Sequence, residues 1–200
     1  MWVVKLGGSL STAPELPQWL SLLAQLGGGR VIIVPGGGGL ANEVRRLQTH
    51  WQFDDLPAHN MAVLAMVQNA WLLKGLQPSG LQIVQREADI PRALRSGQTL
   101  VWAPMELLSE HPGPNCNWDV TGDSIALGLA LRLNAEHLLV VKHCEVKAAR
   151  SLADLVATEV LDRRFADLAQ AAAFPIDVLA CGQLDEARAI LIGERRVLGV

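Results

Sequence analysis

Two short apolar runs that each end in consecutive glycines constrain this chain more than any other feature. The first is Val3-Val4-Lys5-Leu6-Gly7-Gly8-Ser9, and the second is Val31-Ile32-Ile33-Val34-Pro35-Gly36-Gly37-Gly38-Gly39. An apolar run without alternation reads as a strand buried on both faces, the habit of parallel sheets. Where such a strand opens into glycines, no Cβ stands in front of the backbone N–H groups, and an anion can approach them closely. A helix predicted to start at Leu40 aims the positive end of its dipole at the second loop. Four successive glycines cost conformational entropy unless the loop takes positive φ or touches something. With Lys5 near the end of the first strand, the two loops predict a site that grips phosphate from two sides. Phosphoryl transfer depends on that kind of positioning and charge stabilisation. The second loop is not a Walker A motif, because no Lys-Ser/Thr follows it. Nor is it a G-x-G-x-x-G fingerprint with a ribose-binding acid in place.

Strand-like and helix-like segments alternate along the 200 residues. Residues 2–6, 31–34, 81–84, 99–103, 137–142 and 177–180 read as strands. Residues 15–26, 40–50, 58–76, 124–133, 165–173 and 185–192 carry helical spacing, and Gly27-Gly28-Gly29 supplies a helix stop. The alternation predicts a three-layer α/β/α sandwich with a mostly parallel central sheet, as one domain over 1–200. Half the residues are hydrophobic and 18% are charged, which argues against disorder. The net charge is −3 and the basic residues are scattered, so no basic stripe points to nucleic acid. No run approaches eighteen apolar residues, which argues against a membrane span. Met1 to Leu6 runs straight into Gly7-Gly8, so no secretory leader is expected. Cys116, Cys144 and Cys181 are far apart without C-x-x-C spacing, which predicts free thiols in a reducing cytoplasm.

A third signal is Asn117-Trp118-Asp119-Val120-Thr121-Gly122-Asp123-Ser124, leading from a Pro/Gly-rich loop into a helix. Asp123 or Thr121 would serve as N-cap. Two acids, a threonine and a serine around one helix start exceed what capping needs, so Asp123 could also hold an acceptor or orient the lysine. His50, His111, His137 and His143 show no ligand spacing with one another or with cysteine, and no metal ligand set is expected. Met61, Leu64 and Met66 read as core packing. Of the six tryptophans, Trp102 and Trp118 flank predicted crevice loops and could cover an aromatic substrate. Trp19 and Trp71 fit helical core faces or a subunit interface. Asp154 and Asp167 read as solvated, with Asp162 the exception.

Taken in order, Lys5-Leu6-Gly7-Gly8-Ser9, Pro35-Gly36-Gly37-Gly38, the Thr-x-Asp-Ser start at Thr121, and Ile190-Leu191-Ile192-Gly193-Glu194 resemble the amino acid kinase family. That family includes acetylglutamate, aspartate, carbamate and uridylate kinases. Three further pieces, residues 58–66, 101–104 and 118–121, are similar to one small branch. Its members phosphorylate an aminomethyl-furanmethanol phosphate in methanofuran biosynthesis, and relatives accompany one-carbon pathways.

The resemblance implies an ATP-dependent phosphotransferase working with Mg2+ on a small phosphate monoester, and a homo-oligomer. It implies that Lys5 stabilises the transferring phosphoryl group, with Asp123 and Asp162 completing the catalytic set. Gly7, Gly8 and Ser9 would contact nucleotide phosphates, with Lys142 and Glu145 in the nucleotide-binding segment. Gly36, Gly37 and Gly38 would hold the acceptor, His59 and Asn60 would line its pocket, and Thr121 would sit beside it. The chain also departs from the family's pattern. Relatives carry an Asp-x-Asp-Gly-type turn where this chain has His143-Cys144-Glu145. Relatives also place a second lysine where it has Arg163-Arg164, and Gly122 stands where the branch has serine. These departures leave open a non-catalytic nucleotide- or oxyanion-binding protein on the same scaffold.

Overall fold

The computed structural model of the protein describes residues 1–114, 116–146 and 151–194. Asn115, inside the predicted Pro/Gly loop, lies outside them. Among the described residues, six strands form one parallel sheet: β1 (Trp2–Leu6), β2 (Val31–Pro35), β3 (Leu81–Val84), β4 (Thr99–Trp102), β5 (His137–Lys142) and β6 (Ile176–Ala180). Their order is β3-β4-β2-β1-β5-β6, and every pairing is parallel. The predicted strands all form, with limits shifted by at most one residue. The central strands are buried on both faces, which explains their unalternating apolar sequences.

Among the described residues, eight α-helices flank the sheet. They are α1 (Leu16–Leu26), α2 (Gly38–Trp51), α3 (Asp55–Leu76), α4 (Ile90–Leu94), α5 (Gly122–Arg132), α6 (Leu152–Ala157), α7 (Phe165–Ala169) and α8 (Leu184–Ile192). Val4, Leu6, Val31 and Ile33 face a core built with Trp19 and Leu23 of α1, Ala70 and Leu73 of α3, and Ile190 of α8. Val3, Ile32, Val34 and Val140 face the opposite core with Ala126 and Leu127 of α5, Leu155 of α6 and Phe165 of α7. Because strand side chains alternate, Lys5 shares the second face with Val3 and points toward α5.

Several boundaries differ from the sequence expectation. The α2 helix starts at Gly38 rather than Leu40, so two of the four glycines form its first turn. The segment Gly8–Thr12 is a 3-10 helix rather than open loop. The helix expected over 165–173 stops at Ala169. Trp102 is wholly buried in the second core and its Nε1 meets no partner among the described residues, so it does not cover a substrate. Leu64 is exposed rather than core, while Met66 is buried.

The chain lays β2, β4 and β3 on one side of β1, then crosses over to place β5 and β6 on the other. A crevice opens at such a switch point, beyond the carboxyl ends of the strands. Register makes the three central ends level: Leu6 stands opposite both Pro35 and Val141. Both glycine loops and Lys142 therefore emerge side by side.

Candidate active site

The two glycine loops touch through their backbones. A Cβ on Gly8 would lie 2.5 Å from the Gly38 Cα, and one on Gly36 would lie 2.9 Å from the Gly8 Cα. Gly38 also takes φ +57, a conformation only glycine adopts cheaply. Gly39 has open space around it and a negative φ, so neither contact nor conformation requires glycine there. Two of the loop amides are already committed. Gly7 N–H donates to Val141 O at 2.8 Å, and Gly36 N–H to Leu6 O at 2.9 Å. Gly7 thus ties the first loop to β5 instead of offering its amide to a phosphate. The buried Asn69 of α3 donates from Nδ2 to Gly36 O at 2.6 Å and fixes the second loop from behind.

At the junction of these loops sits a charged triplet. Lys5 Nζ lies 2.6 Å from Asp123 Oδ1, and Lys142 Nζ lies 2.8 Å from Asp123 Oδ2. Lys5 and Asp123 are 4% and 3% exposed, so this is a buried arrangement of two cations around one anion. Burial raises the pKa of Asp123, but the ammoniums of Lys5 and Lys142 outweigh it and hold the carboxyl below its ordinary value. Lys5 moves down: burial disfavours its charge, and the neighbouring Lys142 ammonium adds to that, only partly offset by Asp123. Asp123 accordingly orients two ammoniums and is not the cap of α5.

The cap comes from elsewhere in the chain. The Asp162 carboxylate, in the turn before α7, accepts from Thr121 N at 3.0 Å, Thr121 Oγ1 at 3.0 Å and Ser124 N at 2.9 Å, and also from Ser124 Oγ. These bonds satisfy the amides of the N-cap Thr121 and of Ser124 in the first turn of α5, which have no carbonyl within the helix. Asp162 therefore sets the helix start that presents Asp123, one residue removed from the cavity. Arg163 is exposed and bonded to Asp119 Oδ1 at 3.3 Å, and Arg164 is exposed as well. Neither arginine lines the cavity, whose lining cations are Lys5, Arg45 and Lys142. The Cβ that a serine would add at Gly122 lies at ordinary contact distance, 3.5 Å from the Gly36 Cα and the Lys5 Cε.

A cavity of about 230 Å3 opens over this triplet. Of the sequence candidates, Lys5, Gly8, Ser9, Gly36, Gly37, Gly38, His59, Thr121, Asp123 and Lys142 line it. Gly7, Asn60, Glu145 and Asp162 do not. Asn60 instead latches the loop after β4, donating to Ser109 O at 2.8 Å and accepting from Ser109 N at 2.9 Å. His59 Nε2 lies 3.1 Å from Leu107 O. Glu145 is exposed.

The far wall holds residues that motif reading passes over, Asn42 and Arg45 of α2 and Asp55 of α3, together with Met66, which the sequence assigned to core packing. Arg45 stacks its guanidinium 4.4 Å from the centre of the Trp118 ring, and Trp118 Nε1 donates to Gln48 Oε1 at 2.6 Å. Counting turns from the glycine loop would have found them, since Gly38, Asn42 and Arg45 lie at i, i+4 and i+7 on one helix face.

Comparison with known proteins identifies the family and the fold. Residues 1–145 match the amino acid kinase family, and the chain belongs to that family. A [5-(aminomethyl)furan-3-yl]methyl phosphate kinase of Methanocaldococcus jannaschii is 24% identical over 143 residues, covering 70% of this chain and 64% of that relative. The match thus spans less than two thirds of the relative's length. Among solved structures, uridylate kinase from Archaeoglobus fulgidus superposes with a TM-score of 0.71 at 17% identity, covering 96% of this chain and 95% of the other. UMP kinase from Bacillus anthracis gives 0.70 at 20% identity over 96% and 91%. The shared architecture is the amino acid kinase fold.

Proposed function

We propose that this protein transfers the γ-phosphoryl group of ATP to a small phosphate monoester of the aminomethyl-furanmethanol phosphate kind. The observation that carries this reading is the Lys5–Asp123–Lys142 triplet, buried where two interlocked glycine loops meet a cavity. Gly8, Ser9 and Lys142 lie on the β1/β5 side and are assigned to the nucleotide. Gly36, Gly37, Gly38, His59 and Thr121 are assigned to the acceptor, with Arg45 as the cation for its phosphate. Arginine suits that task because its planar fork matches phosphate oxygens. The relatives named for furan-methyl phosphate and for uridylate support a phosphate acceptor.

In the transfer, an acceptor phosphate oxygen bonds to the γ-phosphorus as the bond to the β–γ bridging oxygen breaks, and ADP leaves. The attacking oxygen is already anionic, so no general base is required. Asp123 holds the ammoniums of Lys5 and Lys142 in place, and both are set to stabilise charge on the group in flight. Lys142 fills the part that the sequence comparison left to Arg163 or Arg164. The cavity's polar glycine and lysine lining suits a nucleotide phosphate chain. Of its two lining carboxylates, Asp123 is taken up by lysines and Asp55 Oδ1 accepts from Gln48 Nε2 at 2.9 Å. A magnesium ion would therefore be held by the nucleotide's own phosphates, where it supplies charge neutralisation.

A second copy of the chain is the expected partner, because α3 leaves Leu64, Trp71, Leu72 and Leu76 exposed along its length. No described helix is long and apolar enough to cross a membrane.

A coupled ADP-release assay tests the assignment with phosphorylated furans and small carboxylates as acceptors. Lys5→Ala should lose on the order of 10²–10³-fold in kcat, as removal of one charge-stabilising donor does. Arg45→Met should raise KM for phosphate acceptors with less effect on kcat. Equal turnover in wild type and Lys5→Ala would overturn the reading. Tight nucleotide binding with no turnover on any acceptor would favour the non-catalytic alternative, for which the exposed Glu145 is the specific observation.

A further inference from the structure

Outside the phosphate cavity, the carboxyl ends of β5 and β6 meet the start of α1. Three residues with no spacing relationship in sequence converge there: Glu15 before α1, His143 after β5 and Cys181 after β6. One ligand atom from each, a carboxylate oxygen, an imidazole nitrogen and the thiol sulfur, lie within 4.8 Å of one another. One oxygen of the group is unexplained by the rest of the fold. Glu15 Oε2 is shielded from solvent and meets no hydrogen-bond partner among the described residues, an arrangement a carboxylate rarely tolerates.

The backbone around the cluster is well anchored. Cys181 N–H donates to Lys142 O at 2.7 Å, and Trp19 Nε1 donates to Cys181 O at 2.7 Å. The Cys181 thiol faces His143 O at 3.7 Å, a weak contact that leaves the sulfur available. Cys181 is buried, whereas His143 is exposed, so the cluster has a protein floor and an open mouth.

We propose that Glu15, His143 and Cys181 form a binding site for a divalent transition metal, with Zn2+ the best match. The donor set is the reason. Thiolate, imidazole and carboxylate together suit Zn2+ at Zn–ligand distances of about 2.0–2.3 Å, whereas Mg2+ and Ca2+ favour oxygen alone. The three ligand atoms already lie within 4.8 Å of one another, with His143 on the exposed side. Binding exchanges the thiol proton for the metal: the S–H bond breaks, a sulfur–metal bond forms, and the proton goes to solvent. It also places a counter-charge beside Glu15 Oε2.

His143 immediately follows Lys142, so the bound ion would pin the end of the strand that carries the second cation of the phosphate site. It is a clamp across β5, β6 and α1 rather than a participant in the transfer. The inference stands apart from the proposed phosphotransfer and fails or holds independently of it.

Titration of the purified full chain with Co2+, read by absorption, tests the site directly. Wild type should bind one equivalent with a thiolate-to-cobalt charge-transfer band, and Zn2+ should displace it. Cys181→Ser should abolish the band, and His143→Ala and Glu15→Gln should each weaken binding by about tenfold or more. Lys5→Ala should bind as wild type does, which separates this site from the phosphate cavity. His143 is exposed, so His143→Ala remains informative even if Cys181→Ser does not fold. Absence of the band at one equivalent of Co2+, or a band unchanged by His143→Ala, would overturn the proposal.

Discussion

Replacing Asp123 with asparagine removes the anion that two ammoniums share while keeping the side chain's shape. Lys5, 4% exposed, then has no counter-charge at 2.6 Å. Removing one partner of a buried pair typically costs about 3–5 kcal/mol, since the remaining charge stays desolvated. Lys142 is nearer the surface and turns toward water, but Lys5 cannot. Its escape is to lose its proton, and that escape limits the loss. At pH 7 the ordinary lysine value of 10.5 lies 3.5 units above ambient. At about 1.36 kcal/mol per unit, deprotonation caps the loss near 5 kcal/mol. The same cap falls with rising pH, to about 1.4 kcal/mol at pH 9.5.

Urea denaturation of wild type and Asp123→Asn at both pH values should therefore show a gap of about 3–5 kcal/mol at pH 7 that closes to about 1.5 kcal/mol at pH 9.5. The double variant Lys5→Met/Asp123→Asn should recover most of the stability at pH 7 and remain inactive, separating folding from catalysis. A gap below about 1 kcal/mol at pH 7, or one that does not change with pH, would refute the view that Asp123 compensates a buried ammonium.

The glycine loops give a paired test: Gly8→Ala should lower the melting temperature sharply, because its Cβ would lie 2.5 Å from the Gly38 Cα. Gly39→Ala should be neutral or gain up to about 1 kcal/mol of helix stability, measured by thermal melting. Asp162→Ala should cost about 2 kcal/mol in denaturation, the scale of a lost helix cap, and should also lower turnover, because the start of α5 positions Asp123. Acid titration should show the sign of the Asp123 shift. Its folded pKa lies below the unfolded 3.8, so the contribution is fully present above about pH 5. It drains as pH falls through 3.8 toward the folded value, in wild type but not in Asp123→Asn.

The sheet and the glycine loops were legible because both depend on local sequence. Runs such as Val31-Ile32-Ile33-Val34, β-branched, short and bounded by glycines, read as strands buried on both faces, and the glycines after them mark a backbone that approaches something closely. The helix limits were less so. The start of α2 fell two residues early because glycines read as loop, yet after a buried strand they can form a first turn.

What the chain alone determined was therefore the parallel α/β layering and two glycine loops emerging beside Lys5. Tertiary structure alone decided which groups answer each other across long separations. It brought Asp162 to the start of α5, put Lys142 rather than an arginine beside Asp123, set Asn69 behind Gly36, and gathered Glu15, His143 and Cys181. The physical reason is that charge pairing, capping by a distant carboxylate and metal-ligand convergence are fixed by distances between strand ends. Those distances follow from strand order and register, which no local pattern encodes.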